Sequence, residues 1–178
     1  IHQIYKIVIL NNEKGISTLL MGAPRNGNFN DGYAFIKYKN VKSDGTPGIH
    51  DNWVETDLPL YRLADVYLMY AEAYLRGGGG DAAKALKYVN DIRTRANATP
   101  VNSIDLDFIL DERSRELSWE LTRRSDLIRF GKFTTSAYVW PWKGNNKGGT
   151  AVGDYRNLFP IPNNDLVVNK NLKQNPGY

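Results

Sequence analysis

A mainly α-helical fold with loop-rich segments and a little β-strand is the class this sequence predicts, and three stretches carry that expectation. Residues 60–76 repeat apolar side chains at three- and four-residue steps, and residues 82–98 do the same after the four glycines Gly77 to Gly80. A third stretch, from Ile104 to Phe133, keeps the helical period but places charge on the apolar stripe. With 178 residues, 42% of them hydrophobic and 24% charged, the chain can build one well-cored domain over 1–178. Composition divides that domain into an irregular 1–56 with short strands, a helical 57–133 and a loop-rich closing segment, 134–178.

The same composition narrows the chemistry. There is no cysteine, and the two histidines, His2 and His50, stand far apart. A thiol nucleophile, a histidine-based zinc site and a Ser-His-Asp triad are all disfavoured, so no catalytic residue, metal or cofactor is expected. A net charge of +4 permits an acidic partner, but no Lys/Arg run exceeds two residues, so nucleic acid is not expected. No apolar run approaches the ~18 residues that span a bilayer. The chain opens mid-strand on Ile1-His2-Gln3-Ile4-Tyr5 and reads as a piece of something longer.

Taken in order, residues 3–10 (QIYKIVIL) and 33–38 (YAFIKY) are rich in β-branched and aromatic side chains and read as strands. Asp57 ahead of Pro59 marks a helix start, and Leu60, Leu63, Ala64, Tyr67, Leu68, Ala71, Tyr74 and Leu75 form the face of the first helix. The glycine run invites a phosphate-loop reading. It fails on context, since no strand precedes it and no Gly-Lys-Ser/Thr follows. Asp81 caps the second helix, whose buried stripe is Ala85, Leu86, Val89, Ile92 and Ala96. Two such helices and a short turn make an antiparallel pair close to the ~34-residue tetratricopeptide period.

Ser103 is the expected cap of the third helix, which runs to Phe133 with Leu106, Ile109, Leu110, Leu117 and Leu121 on one face. Arg113, Glu120 and Arg124 lie on or beside that face. Ionised groups cannot enter a core unpaired, because each costs several kcal/mol of desolvation. Glu112, Glu116 and Glu120 recur at four-residue spacing, and paired carboxylates are what glycoside hydrolysis needs. Arg113, Arg115, Arg123, Arg124 and Arg129 stand near every one of these acids. Arginine lowers a carboxyl pKa, whereas a general acid needs it raised, so ion pairing is the expected role. Beyond Gly131, Tyr138, Trp140 and Trp142 concentrate aromatic faces before the Gly/Asn-rich 144–149, and Trp53 stands in another polar loop. Flat rings beside amides hold sugars, although covering the helical core is the more ordinary role for Trp140 and Trp142.

From Leu60 onward the sequence resembles the carboxyl-terminal part of the SusD/RagB family of outer-membrane nutrient-binding lipoproteins. YRLADVYLMYAEAYLR (61–76) is similar to its R-x-A-D-V-x-L-x-x-A-E-A helix, and YVNDIRTRANA (88–98) to its V-N-x-I-R-x-R-A. ILDERSRELSWELTRRSDLIRFGKF (109–133) resembles E-R-x-x-E-L-x-x-E-G-x-R-x-x-D-L-x-R-x-G, with Leu121 where glycine is usual. The ending LFPIPNNDLVVNKNLKQNPGY resembles the family's closing P-I-P-x-x-E-I-x-x-N-x-x-L-x-Q-N-P-G-Y, with Asp165 in place of glutamate.

The resemblance implies a fragment of a larger SusD-like α fold, built on tetratricopeptide-like helix pairs. It also implies non-enzymatic binding of glycans or oligosaccharides, with transfer to a SusC-type TonB-dependent transporter. The protein would sit on the extracellular face of the outer membrane, anchored by a lipidated cysteine outside this stretch. A RagB-like peptide binder and a helical-repeat protein–protein interaction module are the alternatives. None of the matched motifs is a ligand motif. The candidate contacts are therefore Trp53, Tyr138, Trp140 and Trp142, and Arg113, Glu116, Glu120, Arg123 and Asp126 are expected to form a structural ion-pair network. That network is expected to tie its helix to the 61–98 pair and to the closing segment.

Overall fold

The computed structural model describes residues 8–9, 33–34, 40–42, 44–50, 53, 55, 57 and 59–178. They belong to two compact units, Ile1–Ile104 and Asp105–Tyr178. The architecture is mainly helical. In the first unit β1 (Val8–Ile9) pairs antiparallel with β2 (Tyr33–Ala34), Val8 opposite Ala34 and Ile9 opposite Tyr33. The remainder of the two expected strands lies outside the described residues.

Helix α1 (Leu63–Leu75) starts three residues later than the sequence suggests. Its first flanking residue is Arg62 in extended geometry, so Asp57 is not the cap. Ala64, Leu68 and Ala71 are buried, whereas Leu60 and Leu63 are exposed, because the apolar residues of this segment wrap around more than one side of the helix. Helix α2 (Ala82–Arg95) begins at Asp81, whose carboxylate accepts the Lys84 N–H at 2.6 Å. Ala85, Val89 and Ile92 fill its buried stripe. Leu86 is only half-buried, and Ala96 falls beyond the helix end and is exposed.

Between α1 and α2, the Tyr67 and Tyr88 rings stack at 4.1 Å, and Tyr70 meets Tyr88 edge-on at 5.2 Å. The Tyr70 hydroxyl accepts the Asp81 N–H at 3.0 Å, so one aromatic side chain of α1 fixes the entry to α2. Asn90 then exchanges two hydrogen bonds with the backbone of Val101, at 2.9 and 2.8 Å, and folds the segment after α2 back onto that helix.

In the second unit α3 (Leu106–Glu116) is capped by Asp105, not Ser103: its carboxylate accepts the Phe108 N–H at 2.7 Å. The expected continuous helix to Phe133 is broken. After Glu116 the chain turns through Trp119 (φ +63) and Leu121 (φ +61) before α4 (Arg123–Arg129) begins. Leu121 is 87% exposed and does not belong to the core stripe, which consists of Ile109, Leu110, Leu117 and Leu127. The apolar spacing at 121 imitates helix while the backbone has already left it.

Helices α1, α2 and α4 all end in one way, with a left-handed residue (Gly77, Asn97 or Gly131) and a backbone bond reaching back five residues. A final short helix, α5 (Asn163–Val168), precedes a closing segment that doubles as a clamp. Gln174 pairs with both backbone groups of Ile161 at 2.8 and 2.9 Å, Asn175 donates to the Phe159 carbonyl at 2.7 Å, and the Tyr178 hydroxyl donates to the Leu158 carbonyl at 2.9 Å.

A non-glycine residue in the left-handed region costs roughly 1–2 kcal/mol, and Leu121 offsets little of that by burial. Leu121→Gly should therefore raise the unfolding free energy by about 1 kcal/mol at most once the glycine entropy cost is included, read as a higher urea midpoint at an unchanged m-value.

Candidate functional site

The charged residues of α3 and α4 meet inside the second unit. Asp126 is 1% exposed and Arg113 4%, and the Arg113 Nε lies 2.9 Å from Asp126 Oδ1. That contact is an ion pair without an aligned hydrogen bond, since the N–H does not point at the oxygen. Arg129 supplies the directed bond to the same oxygen at 2.7 Å. Arg115 holds the buried Glu112 at 2.6 Å. Glu116 is buried and Glu120 half-buried, and both are engaged.

Arg123 turns to neutral acceptors: it donates to the Leu110 carbonyl at 2.8 Å and to the Tyr138 hydroxyl, with its guanidinium 5.2 Å from the Tyr138 ring. Tyr138 in turn reaches Asp111 at 3.4 Å. Arg124 lies 3.7 Å from the Phe159 ring centroid and 5.0 Å from that of Phe133, and donates to the Arg156 carbonyl at 2.6 Å. These arginines bind the helices to the loops that follow. Among the described residues, no group of three or more His, Asp or Glu side chains gathers to hold a metal.

Those loops enclose a groove of about 520 Å³. Phe133, Trp140, Trp142 and Tyr155 give it aromatic walls, with Asn145 and Arg156 at its polar edge. Lys143 and Gly144 lie along its lining. Trp140 stacks on Phe133 at 6.2 Å, and Trp142 is 64% exposed.

Three features hold the aromatic loop in shape. Lys143 is 3% exposed and donates to the carbonyls of Thr135 and Tyr138, both at 2.6 Å, with its ammonium 4.8 Å from the Trp140 ring. Burial lowers its pKa below 10.5. Gly149 (φ +78) passes so close to Trp140 that a Cβ would sit 2.5 Å from the Trp140 carbonyl oxygen. Thr134 donates its hydroxyl to Asp154 at 2.6 Å and accepts the Val152 N–H at its carbonyl, closing the far side.

Of the aromatic candidates, Trp140 and Trp142 come together in this groove. Tyr138 serves its base through Arg123, and the 73%-exposed Trp53 belongs to the other unit, in a loop held by Asn40 and Glu55. The reading of residue spacing missed Lys143, Tyr155 and Arg156. Gly149 and Gly153, which mark close approaches, are the signal that could have pointed to them.

Residues 8–178 match the SusD family. The chain belongs to the SusD family. Starch-binding protein SusD of Bacteroides thetaiotaomicron is 46% identical over 151 residues, covering 84% of this chain and 27% of that protein. SusD-like protein P25 of Formosa agariphila is 35% identical over 159 residues, covering 80% of this chain and 28% of that protein. Among solved structures, surface glycan-binding protein A from B. thetaiotaomicron superposes with a TM-score of 0.65 at 27% identity, over 83% of this chain and 31% of that one. A laminarin-binding SusD-like protein gives 0.52 at 30% identity, over 82% and 29%. The chain thus spans less than a third of the length of these relatives.

SusD-family motifs now acquire geometry. The left-handed backbone at Leu121 accounts for the glycine usual at that place. The closing Q-N-P-G-Y is the clamp on residues 158–161, and the asparagine of V-N-x-I-R is the clamp on Val101.

Two outcomes test this scaffold. Arg113→Met should cost up to about 3 kcal/mol in urea unfolding, because it takes away one of the two guanidinium groups that neutralise a buried carboxylate while Arg129 stays, and Asp126→Leu in the same chain should recover most of that loss. For Lys143, the folded pKa lies below the unfolded 10.5, so the unfolded chain binds more protons between the two values. Stability of the wild type relative to Lys143→Met should consequently rise as pH climbs through the folded pKa toward 10.5, read as the difference in melting temperature.

Proposed function

We propose that this chain is part of a non-enzymatic, cell-surface glycan-binding protein that delivers oligosaccharides to a partner TonB-dependent outer-membrane transporter of SusC type, and that the protein is lipid-anchored on the extracellular face. Kinship with a protein named for starch binding, and with structures named for surface glycans and laminarin, supports the ligand class. Within the chain, the groove between Trp140, Trp142 and Tyr155 is the ligand contact. The observation that carries this reading is the backbone of Trp142. It sits at φ +69, a geometry an indole adopts only at a cost, and it leaves that indole 64% exposed. Core packing gains nothing from such an arrangement, whereas a pyranose ring can stack on the face it leaves open.

A second reading has an observation of its own. Leu63, Val66 and Met69 of α1 are exposed at 63%, 48% and 43%, as on a helix pair that meets another protein surface. Sugar binding by the isolated full-length protein separates the two.

Trp142→Gly in the full-length protein should raise thermal stability, by relief of roughly 1–2 kcal/mol of backbone strain, while weakening polysaccharide binding in titration calorimetry. A variant that binds normally, or one that loses stability, would return Trp142 to a packing role.

A further inference from the structure

The charge along the groove says more about its ligand than the aromatic rings do. Arg156 lies at its edge, exposed, with its guanidinium 5.3 Å from the Tyr155 ring centroid. Among the described residues no carboxylate pairs with it. Its backbone is held in place, because the Arg156 carbonyl accepts from Arg124 at 2.6 Å. Lys143 adds a second positive charge beneath the Trp140 ring, held by two carbonyls and, among the described residues, by no acid. Among the described residues no Asp or Glu lines the groove. The nearest acid in sequence, Asp154, is occupied by the Thr134 hydroxyl.

The hydroxyls of a neutral sugar donate as well as accept, and carboxylates and amides supply the acceptors that Arg and Lys side chains lack. This groove instead offers aromatic faces, one asparagine side chain and an excess of cations. The ammonium against Trp140 also reduces the negative potential of that ring, which an anionic sugar would otherwise meet as repulsion.

Resting on the glycan-binding reading above, we propose that the groove selects an acidic oligosaccharide. A uronate ring stacks against Trp142 and Tyr155, and its planar carboxylate takes the Arg156 guanidinium in a bidentate pair. Arginine suits that partner because its fork of N–H donors matches the two carboxylate oxygens.

Titration of the full-length protein with oligogalacturonate and with a neutral maltooligosaccharide of equal length tests the assignment. The acidic ligand should bind on the order of tenfold more tightly, as a charge-assisted pair allows. The ratio should shrink as salt shortens the Debye length from ~10 Å toward ~3 Å. Arg156→Gln should bring the ratio close to one, whereas Lys147→Gln, outside the groove, should leave it in place. Equal affinities in the wild type, a ratio that survives Arg156→Gln, or a ratio that collapses equally in Lys147→Gln would each overturn the proposal. Maltooligosaccharide binding that Trp142→Gly abolishes, with no acidic preference, would overturn it alone. If neither sugar binds, the groove fails as a glycan site altogether.

Discussion

Asp126 faces two guanidinium groups from inside the second unit, and the rest of that unit depends on this arrangement. A carboxylate at 1% exposure is tolerable only with cations in contact, and Arg113 from α3 and Arg129 from its own helix provide them. The pair fixes α4 against α3 across the break at residues 117–121. That placement lets Arg123 and Arg124 leave the helix in different directions, one to Tyr138 and the other to the carbonyl of Arg156 and the ring of Phe159. The groove is therefore mounted on the ion pair through two arginines, although neither member of the pair lines it.

Arginine does different work at each place. Against Asp126 it neutralises charge. At Leu110 and Arg156 it serves as a multiple donor to carbonyls, and at Phe133, Phe159 and Tyr155 it lies close to rings. Lysine could supply the charge but not the planar fork or the stacking surface. Arg156 stands apart among these, since among the described residues its side chain meets a tyrosine ring and no carboxylate.

Much of the helical framework was legible in the residues, because α2 combines a clean Ala85–Val89–Ile92 stripe with a capping Asp81 and both features act locally. The break after Glu116 was not legible. Leu121 keeps the apolar period, no glycine or proline announces the turn, and the left-handed backbone is imposed by the surrounding unit. Asn90 and Gln174 were equally silent, since each pairs with backbone more than ten residues away. Trp140 and Trp142 could be picked out as aromatics clustered before a Gly/Asn-rich loop, while Tyr155 and Arg156 join them only through the fold. The charge cluster was visible as a conflict between period and polarity, but its centre, the Arg113–Asp126 contact, needed the turn that the period concealed.

The clamp made by Gln174, Asn175 and Tyr178 bears on the order in which the molecule can be made. During vectorial synthesis α3 and α4 emerge first, yet the carbonyls of Leu158, Phe159 and Ile161 have no side-chain partner from the clamp until residues 174–178 follow. Arg124 of α4 reaches the same stretch, through the Leu158 carbonyl at 3.4 Å and the Phe159 ring. Tyr178 meets Tyr155 edge-on at 4.9 Å, so the aromatic edge of the groove is buttressed from a segment some twenty residues further along the chain.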